Sequence, residues 1–208
     1  MANRRILLVE GNDDEHVLKH ICGNHDVGQL DILPLGSVEK LLESLPVRLR
    51  ASEEGDILGV IVDADTNVEA RWQALSNRLK KEGYLDVPQS PPPEGLVLNA
   101  PINSLLPRVG IWLMPNNQTN GILEDFLRFL IPQDSPLFAH AENSIRAIPN
   151  EERRFTELAA PKALIHTWLA WQKEPGKPLG MAITAQFLDP KVEQVNVLVS
   201  WLKRLFFP

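Results

Sequence analysis

The chain has little cysteine and no long hydrophobic run. Its 208 residues include one cysteine, Cys22. A lone thiol forms neither an intramolecular disulfide nor a cysteine-built zinc site, so apolar packing alone must build the core. No apolar run approaches the ~18 residues of a membrane-spanning helix, and Ile6–Val9 is too short for the core of a signal peptide. These absences predict a cytoplasmic protein with no membrane partner.

Positive charge is also scarce. Lysine and arginine total 21 against 27 aspartates and glutamates, which gives a formal net charge of −6. This balance excludes a protein that coats nucleic acid through bulk positive charge. With 44% hydrophobic residues, the chain is long enough to bury a core of its own. The simplest division is a single domain, 1–208, with an α/β core over 4–131 and a mainly helical extension over 132–208.

Short apolar runs alternate with helical patterns through the first half of the chain. The predicted strands cover residues 4–9, 30–35, 57–62 and 109–114. Apolar spacing predicts helices after the caps Asp13 and Ser37, a helix over 68–82, and a last helix over 191–205. Strands that alternate with helices indicate a parallel α/β sheet. We expect the first strand to lie at its centre.

The segment Tyr84–Arg108, hereafter the proline segment, interrupts this alternation. It contains Pro88, Pro91, Pro92, Pro93, Pro101 and Pro107. Proline removes a backbone donor from a sheet ladder, so the composition predicts a loop or at most an edge strand. We expect the segment to bury little surface and to be the most mobile internal part of the chain.

Acidic residues stand where three of the predicted strands end. They are Glu10 and Asp14 after the first strand, Asp63 and Asp65 after the third, and Glu124 and Asp125 in the helix that follows the fourth. The carboxyl ends of parallel strands meet at one edge of a sheet, where ligands bind. Carboxylates that meet there either raise their pKa values or hold a hard cation. The six residues are therefore candidate ligands for Mg²⁺ or Mn²⁺.

Each acidic motif also has a simpler structural interpretation. An Asp-x-Asp after a strand can cap a helix. Glu10 can pair with Arg4 or Arg5 at the surface, and Glu124 with Asp125 can favour the positive end of a helix. The coincidence of three acidic motifs at the ends of strands in one sheet favours the metal site.

Two of these motifs resemble those of the TOPRIM superfamily. The stretch Ile6–Asp14 resembles its first motif, an apolar strand followed by Glu-Gly and an acid four residues after the glutamate. The stretch Val60–Asp65 resembles its Asp-x-Asp motif. The resemblance covers residues 4–131. It implies a three-layer Rossmann-like α/β fold with a central, mainly parallel sheet, here with a helical C-terminal extension, that binds Mg²⁺ and acts on phosphodiester bonds.

The resemblance also implies roles for single residues. Glu10 would be the general acid or base, and Asp63 and Asp65 would bind the metal. Asp14 would be an accessory ligand, as in OLD-type nucleases. A second resemblance, over most of the chain, is to a small uncharacterised TOPRIM-like family found largely in bacteria, and it rests on the stretches Met114–Asp125 and Trp168–Gly180.

Three departures from the superfamily narrow the expected function. The Asp-x-Asp lacks the Arg-Glu-Gly tail of topoisomerases, and the single tyrosine, Tyr84, lies in the proline segment rather than at a nucleophile position. The chain carries no ATPase motif, whereas OLD-type nucleases do, so an ATPase partner would act in trans. The leading hypothesis is a Mg²⁺-dependent nuclease acting on nucleic acid.

Catalysis at a phosphate also requires a cation near the developing charge. Lys162 and Lys177 are the candidates in the C-terminal part, and Lys177 is predicted to act beside Glu10 in catalysis. For each lysine, a solvated surface position is the simpler interpretation.

Three other function classes compete with the nuclease. A response-regulator receiver would carry its phosphoacceptor elsewhere and a single aspartate after the third strand. A haloacid-dehalogenase-type phosphatase would carry its Asp-x-Asp on the first strand, with different spacing to Thr66. A catalytically inactive TOPRIM-like scaffold, or a regulatory partner of an ATPase, remains open, because sequence alone does not establish catalysis.

Overall fold

The computed structural model describes residues 3–208, which form a five-stranded sheet and eight helices. The strands are β1 (Arg5–Val9), β2 (Asp31–Pro34), β3 (Ile57–Asp63), β4 (Leu96–Leu98) and β5 (Arg108–Met114). The helices are α1 (Asn12–Asn24), α2 (Val38–Arg50), α3 (Val68–Glu82), α4 (Leu123–Phe129), α5 (Pro136–Arg146), α6 (Ala160–Ala170), α7 (Leu179–Thr184) and α8 (Glu193–Phe206). The strand order is β2-β1-β3-β5-β4, in which β4 alone runs antiparallel to its neighbour.

The position of β1 corrects one prediction. β3, rather than β1, is the middle strand of the five, and β1 lies between β2 and β3. The reason is the short antiparallel strand β4, which pairs with the far side of β5. It was not predicted, because the segment that contains it is rich in proline. The expected orientation is confirmed, because β1, β3 and β5 run parallel and end at the same edge of the sheet.

The sheet is covered on both faces, which explains why its inner strands are continuous apolar runs. Leu7 and Val9 of β1 point into a core shared with α1, α4 and the C-terminal helices. Leu8, between them, points into a second core shared with α2 and α3. The alternation follows from the two-residue period of a strand. The result is a helix–sheet–helix arrangement.

Local sequence signals set most helix starts. Ser37 caps α2, as predicted, and Ser135 caps α5; each accepts a backbone N–H group. Asp13, in contrast, does not cap α1: Gly11 is the cap residue, and the Asp14 carboxylate accepts the Gly11 N–H at 3.0 Å. The short helix α7 was not predicted, because its six residues are too few to show a helical period.

The proline segment is tied to the core, contrary to the expectation that it buries little surface. Tyr84 is 2% exposed and donates its hydroxyl to the Pro107 carbonyl at 2.6 Å. Trp201 of α8 donates its indole N–H to the Leu96 carbonyl at 2.8 Å. The segment forms β4, the edge strand that its composition permits. Its mobility stays a prediction.

Helix α8 lies directly against the sheet because glycines leave room for it. A Cβ on Gly59 of β3 would stand 2.8 Å from the Phe206 ring, and one on Gly110 of β5 would stand 2.5 Å from a Leu205 methyl. A side chain at either position would therefore force Phe206 or Leu205 of α8 to shift. Trp201 and Leu205 of the same helix are fully buried.

Candidate metal site at the carboxyl edge of the sheet

The parallel pairing of β1 and β3 brings the first two acidic motifs together. Leu8 is paired with Val60, so Glu10 follows β1 where β3 reaches Asp63. The Glu10 carboxylate accepts the backbone N–H of Asp63, with Oε1 and N 3.3 Å apart. The expected proximity of Glu10 to Asp63 is therefore confirmed.

Asp65 connects this edge to the third acidic motif. Its φ of 54° lies in the left-handed region, which is uncommon for a residue other than glycine. Reciprocal backbone hydrogen bonds of 2.9 and 2.8 Å join Asp65 to Gly121, just before α4. Through this bridge, the turn after β3 is fixed beside the start of the helix that carries Glu124.

Two deeply buried carboxylates complete the group. Asp14 is 7% exposed and Glu124 is 3% exposed. Asp14 uses Oδ2 to accept the Gly11 N–H, but no donor within residues 3–208 reaches its Oδ1, which is shielded from solvent. Asp63 Oδ1 is likewise buried without a donor from the described residues. Glu10, Asp14, Asp63, Asp65 and Glu124 are hereafter the carboxylate cluster.

Burial and mutual repulsion raise the proton affinity of the cluster. Burial, followed by the charges of Asp14 and Glu10, raises the pKa of Asp63 to about 9. Burial, followed by the charge of Asp14, raises the pKa of Glu10 to about 7. Burial raises the pKa of Asp14 to about 6, and the charge of Glu124 adds to that rise. Without a cation, the cluster therefore holds protons at neutral pH.

Arg71 is a cation of this site that the sequence prediction missed. It lies on α3, its side chain is 15% exposed, and it forms an ion pair with Asp65. Its Nε–H is buried and lacks an acceptor among residues 3–208. Helical spacing held the signal, because Arg71 follows Val68 by three residues and precedes Leu75 by four, and both of these are buried.

The predicted lysines separate into one that reaches the cluster and one that does not. Lys162 Nζ lies 3.5 Å from Glu124 and 3.9 Å from Asp13. Lys177 forms its ion pair with Glu174 at 2.9 Å, and no carboxylate of the cluster within the described chain lies within ion-pair distance of it. Lys177 is thus paired away from the cluster, but its side chain is only 19% exposed, so it is not the solvated surface lysine of the simpler interpretation.

Asp125 also has a structural role. Its Oδ2 accepts the backbone N–H of Ile122 at 2.9 Å, so it caps α4 in the way that Asp14 caps α1. Asp14 keeps one buried oxygen without a donor, whereas no such oxygen is found on Asp125. Of the six predicted ligands, Asp125 is therefore the one with the clearest structural explanation.

The cluster is not a preformed metal cage. As the side chains lie, no three histidine, cysteine, aspartate or glutamate residues between residues 3 and 208 form a group that could hold a metal ion. The donor chemistry nevertheless fits a hard cation, because the oxygens are carboxylates and two of them are buried without donors. To coordinate one cation together, these carboxylate side chains would have to rotate toward one another.

The comparisons with known proteins assign a family without an activity. None of the helices within residues 3–208 combines the length and apolar character needed to cross a membrane. No curated protein and no solved structure gives a significant match to the chain. One family model, described as "Protein of unknown function (DUF3226)", matches residues 4–207. Because that match covers nearly all of the 208 residues, the chain belongs to the DUF3226 family.

Proposed function

We propose that this chain is a TOPRIM-like, Mg²⁺- or Mn²⁺-dependent phosphoryl-transfer protein that cleaves phosphodiester bonds of nucleic acid. The observation that carries the proposal is the pair of buried oxygens, Asp14 Oδ1 and Asp63 Oδ1, that have no donor within residues 3–208. A buried acceptor without a partner costs about 1–3 kcal/mol. A cation is the partner that a group of carboxylates can share.

The donor set assigns ligands to the cation. Asp63 ends β3 and Asp65 follows it, and Asp14 and Glu124 would supply oxygens from the first turns of α1 and α4. Bound there, a divalent cation supplies a Lewis acid that polarises a phosphate and lowers the pKa of water. Mg²⁺ binds through a few carboxylates and keeps several waters, which leaves room for a phosphate oxygen.

Glu10 is the residue suited to move the proton. Among residues 3–208, the one hydrogen bond that its carboxylate accepts is the long 3.3 Å bond from Asp63, which leaves oxygens free. Its pKa, raised to about 7 by burial and by the charge of Asp14, suits proton exchange near neutral pH. Glu10 would take the proton from the attacking water or return one to the leaving oxygen.

Arg71 and Lys162 supply the positive charge that a phosphodiester needs. Each pairs with one carboxylate of the cluster, Arg71 with Asp65 and Lys162 with Glu124. If a cation were held by those carboxylates, the two side chains would be available to phosphate oxygens. Arg71 thereby takes the role that was predicted for Lys177, that of the cation near the developing charge on the phosphate.

One observation favours a second candidate, the catalytically inactive scaffold or regulatory partner of an ATPase. The cluster is already neutralised in part by Arg71 and Lys162, and its side chains do not form a closed ligand group within the described residues. A protein that had lost catalysis could retain such a cluster as part of its fold.

Cleavage assays separate the two candidates. Wild type is incubated with Mn²⁺ and labelled single- and double-stranded DNA and RNA, beside Glu10→Gln. We expect Mn²⁺-dependent cleavage by wild type and a loss of 10²–10⁴-fold in Glu10→Gln, the usual contribution of a general acid or base. Glu43→Gln, an exposed change on α2, is the matched control and should cleave like wild type. Equal rates for Glu10→Gln and Glu43→Gln, or no cleavage by wild type, would support the scaffold.

A further inference from the structure

A cavity of about 320 Å³ opens beside the carboxylate cluster, among helices of the C-terminal extension. It lies between α4, α5, the connection 147–159 and α6. Glu124 lines this cavity and is also a member of the cluster, so the two sites share a wall. The volume falls at the lower end of the range for small-molecule sites, about 300–1,000 Å³.

Three arginines and four carboxylates line the cavity together with apolar groups, and three of those carboxylates, Glu124, Glu142 and Glu157, are paired with a cation. Arg146 lines it from α5, and among residues 3–208 no carboxylate lies within ion-pair distance of its guanidinium. Arg153 lines it from the connection and pairs with Glu157, but its Nε–H is buried and has no acceptor in the described chain. Phe155, Ile145 and Leu164 supply apolar surface.

The unpaired Arg146 and the Phe155 ring favour a ligand that carries a phosphate and a flat ring. Unused guanidinium donors are satisfied by phosphate oxygens, which match their planar geometry. Phe155 already lies under the Arg153 guanidinium, 5.7 Å from it, and a base can stack on such an aromatic and cationic pair. The other two arginines of the wall pair with glutamates of the wall, Arg128 with Glu142 and Arg153 with Glu157.

We propose that this cavity binds one unstacked nucleotide of a single-stranded nucleic acid, with its phosphate on Arg146 and Arg153 and its base on Phe155. This inference rests on the function proposed above, because it places the neighbouring phosphodiester at the carboxylate cluster, across Glu124. A base inside a duplex remains stacked and paired, so it does not enter a cavity of this size without being flipped out. The cavity therefore makes the protein selective for single strands.

The experiment measures strand binding without cleavage. Glu10→Gln protein with Mn²⁺ is titrated into a fluorescein-labelled eight-nucleotide single strand and into the corresponding duplex. We expect the single strand to bind at least tenfold more tightly than the duplex. Adding Arg146→Ala and Arg153→Ala to the Glu10→Gln protein should weaken single-strand binding at least tenfold and leave duplex binding unchanged within twofold.

Arg154 supplies the matched control. It is the immediate neighbour of Arg153, 83% exposed, and pairs weakly with Glu152 at 3.5 Å outside the cavity wall. Arg154→Ala removes the same charge and should change the affinity less than twofold. Arg146→Glu alone, an exposed change that does not disturb packing, should reproduce most of the loss if the Arg153 variant folds poorly.

A second measurement separates this inference from the proposed function. Adenosine 5′-phosphate is titrated calorimetrically into wild type in excess chelator, because the cavity needs no metal. Binding that is lost in Arg146→Ala supports the cavity even if Mn²⁺ and cleavage experiments fail. Mn²⁺-dependent cleavage with equal strand affinity in the Arg146, Arg153 and Arg154 variants would overturn the cavity and leave the proposed function standing.

Discussion

The carboxylate cluster and the proline segment both bury polar groups, and they treat those groups in opposite ways. In the proline segment, the Tyr84 hydroxyl and the Leu96 carbonyl each have a partner within 2.8 Å. In the cluster, Asp14 and Asp63 each keep a buried oxygen without a donor from residues 3–208. Satisfied groups stabilise the fold, whereas unsatisfied ones cost stability. The comparison indicates that the carboxylate cluster serves a purpose other than stabilising the fold.

The largest difference should appear as a dependence of stability on pH. In an unfolded chain the pKa of Asp63 is about 3.9, while in the folded protein burial raises it to about 9. The stability from the protonated form is therefore complete below about pH 4 and is lost as pH rises toward 9. For Asp63 alone the loss is about 1.4 kcal/mol per pH unit, or about 4 kcal/mol from pH 5 to pH 8.

Urea unfolding of metal-free protein at pH 5 and pH 8 measures that loss. Asp63→Asn should remove most of it and should exceed wild type in stability at pH 8. Asp56→Asn is the control, since Asp56 is buried in its ion pair with Arg4, away from the cluster. Its free energy of unfolding should decline between pH 5 and pH 8 as in wild type. A wild-type stability that rises over this interval would contradict the buried, protonated cluster.

The next effect concerns Arg71. In metal-free protein, Arg71→Gln should destabilise the fold by about 1–3 kcal/mol, because it leaves Asp65 without its cation beside other carboxylates. Arg50→Gln breaks the Arg50–Glu82 pair, in which Arg50 is 62% exposed, and should cost less than about 1 kcal/mol. Saturating Mn²⁺ should reduce the destabilisation caused by Arg71→Gln but not the destabilisation caused by Arg50→Gln. Equal destabilisation by Arg71→Gln and Arg50→Gln would mean that the Arg71–Asp65 pair is an ordinary surface ion pair.

Metal binding should stabilise the protein by a smaller amount. At a free Mn²⁺ concentration ten times the dissociation constant, binding to the folded state contributes about 1.4 kcal/mol, a rise of about 3–6 °C in melting temperature. Thermal melts of Asp63→Asn should show little of this rise, because the variant lacks a ligand. The same rise in both proteins would mean that Asp63 and Asp65 form a turn and not a metal site.

The smallest effect belongs to the proline segment. Tyr84→Phe removes the hydroxyl that donates to the Pro107 carbonyl and should destabilise the protein by about 1 kcal/mol. The sign is opposite to that of Asp63→Asn at pH 8, although both changes alter one buried polar group. Leu85→Ala, at a side chain that is 89% exposed in the same segment, should change the free energy of unfolding by less than about 0.5 kcal/mol. A stabilised Tyr84→Phe would remove the contrast between the two regions.

The sequence predicted those parts of the fold that rest on local periodicity. The apolar runs of β1, β3 and β5 and the helical spacing of α3 appear in the structure within one residue of their predicted bounds. The proximity of Glu10 to Asp63 followed from parallel pairing alone. Strand β4 and helix α7 were missed because three and six residues carry no detectable period.

Site features that depend on tertiary contacts were beyond sequence reasoning. Helical spacing indicates that Arg71 lies on the buried side of α3, but its partner Asp65 lies across a turn, six residues away, so the spacing does not reveal the ion pair. Lys162 approaches Glu124 only because α6 packs beside α4. The two lysines looked alike in sequence, and only their surroundings distinguish Lys162 from Lys177.

The glycines under α8 bear on how far the protein can be divided. Gly59 and Gly110 lie in the middle of the sheet, and the space of their missing side chains is filled by Phe206 and Leu205 from the far end of the chain. The strands that position Asp63 thus have one face completed by the C-terminal helix. A fragment ending at residue 131 would expose that face to water and would not be an independent folding unit. Within this family, we expect the carboxylate edge and the last helix to be inherited, and lost, together.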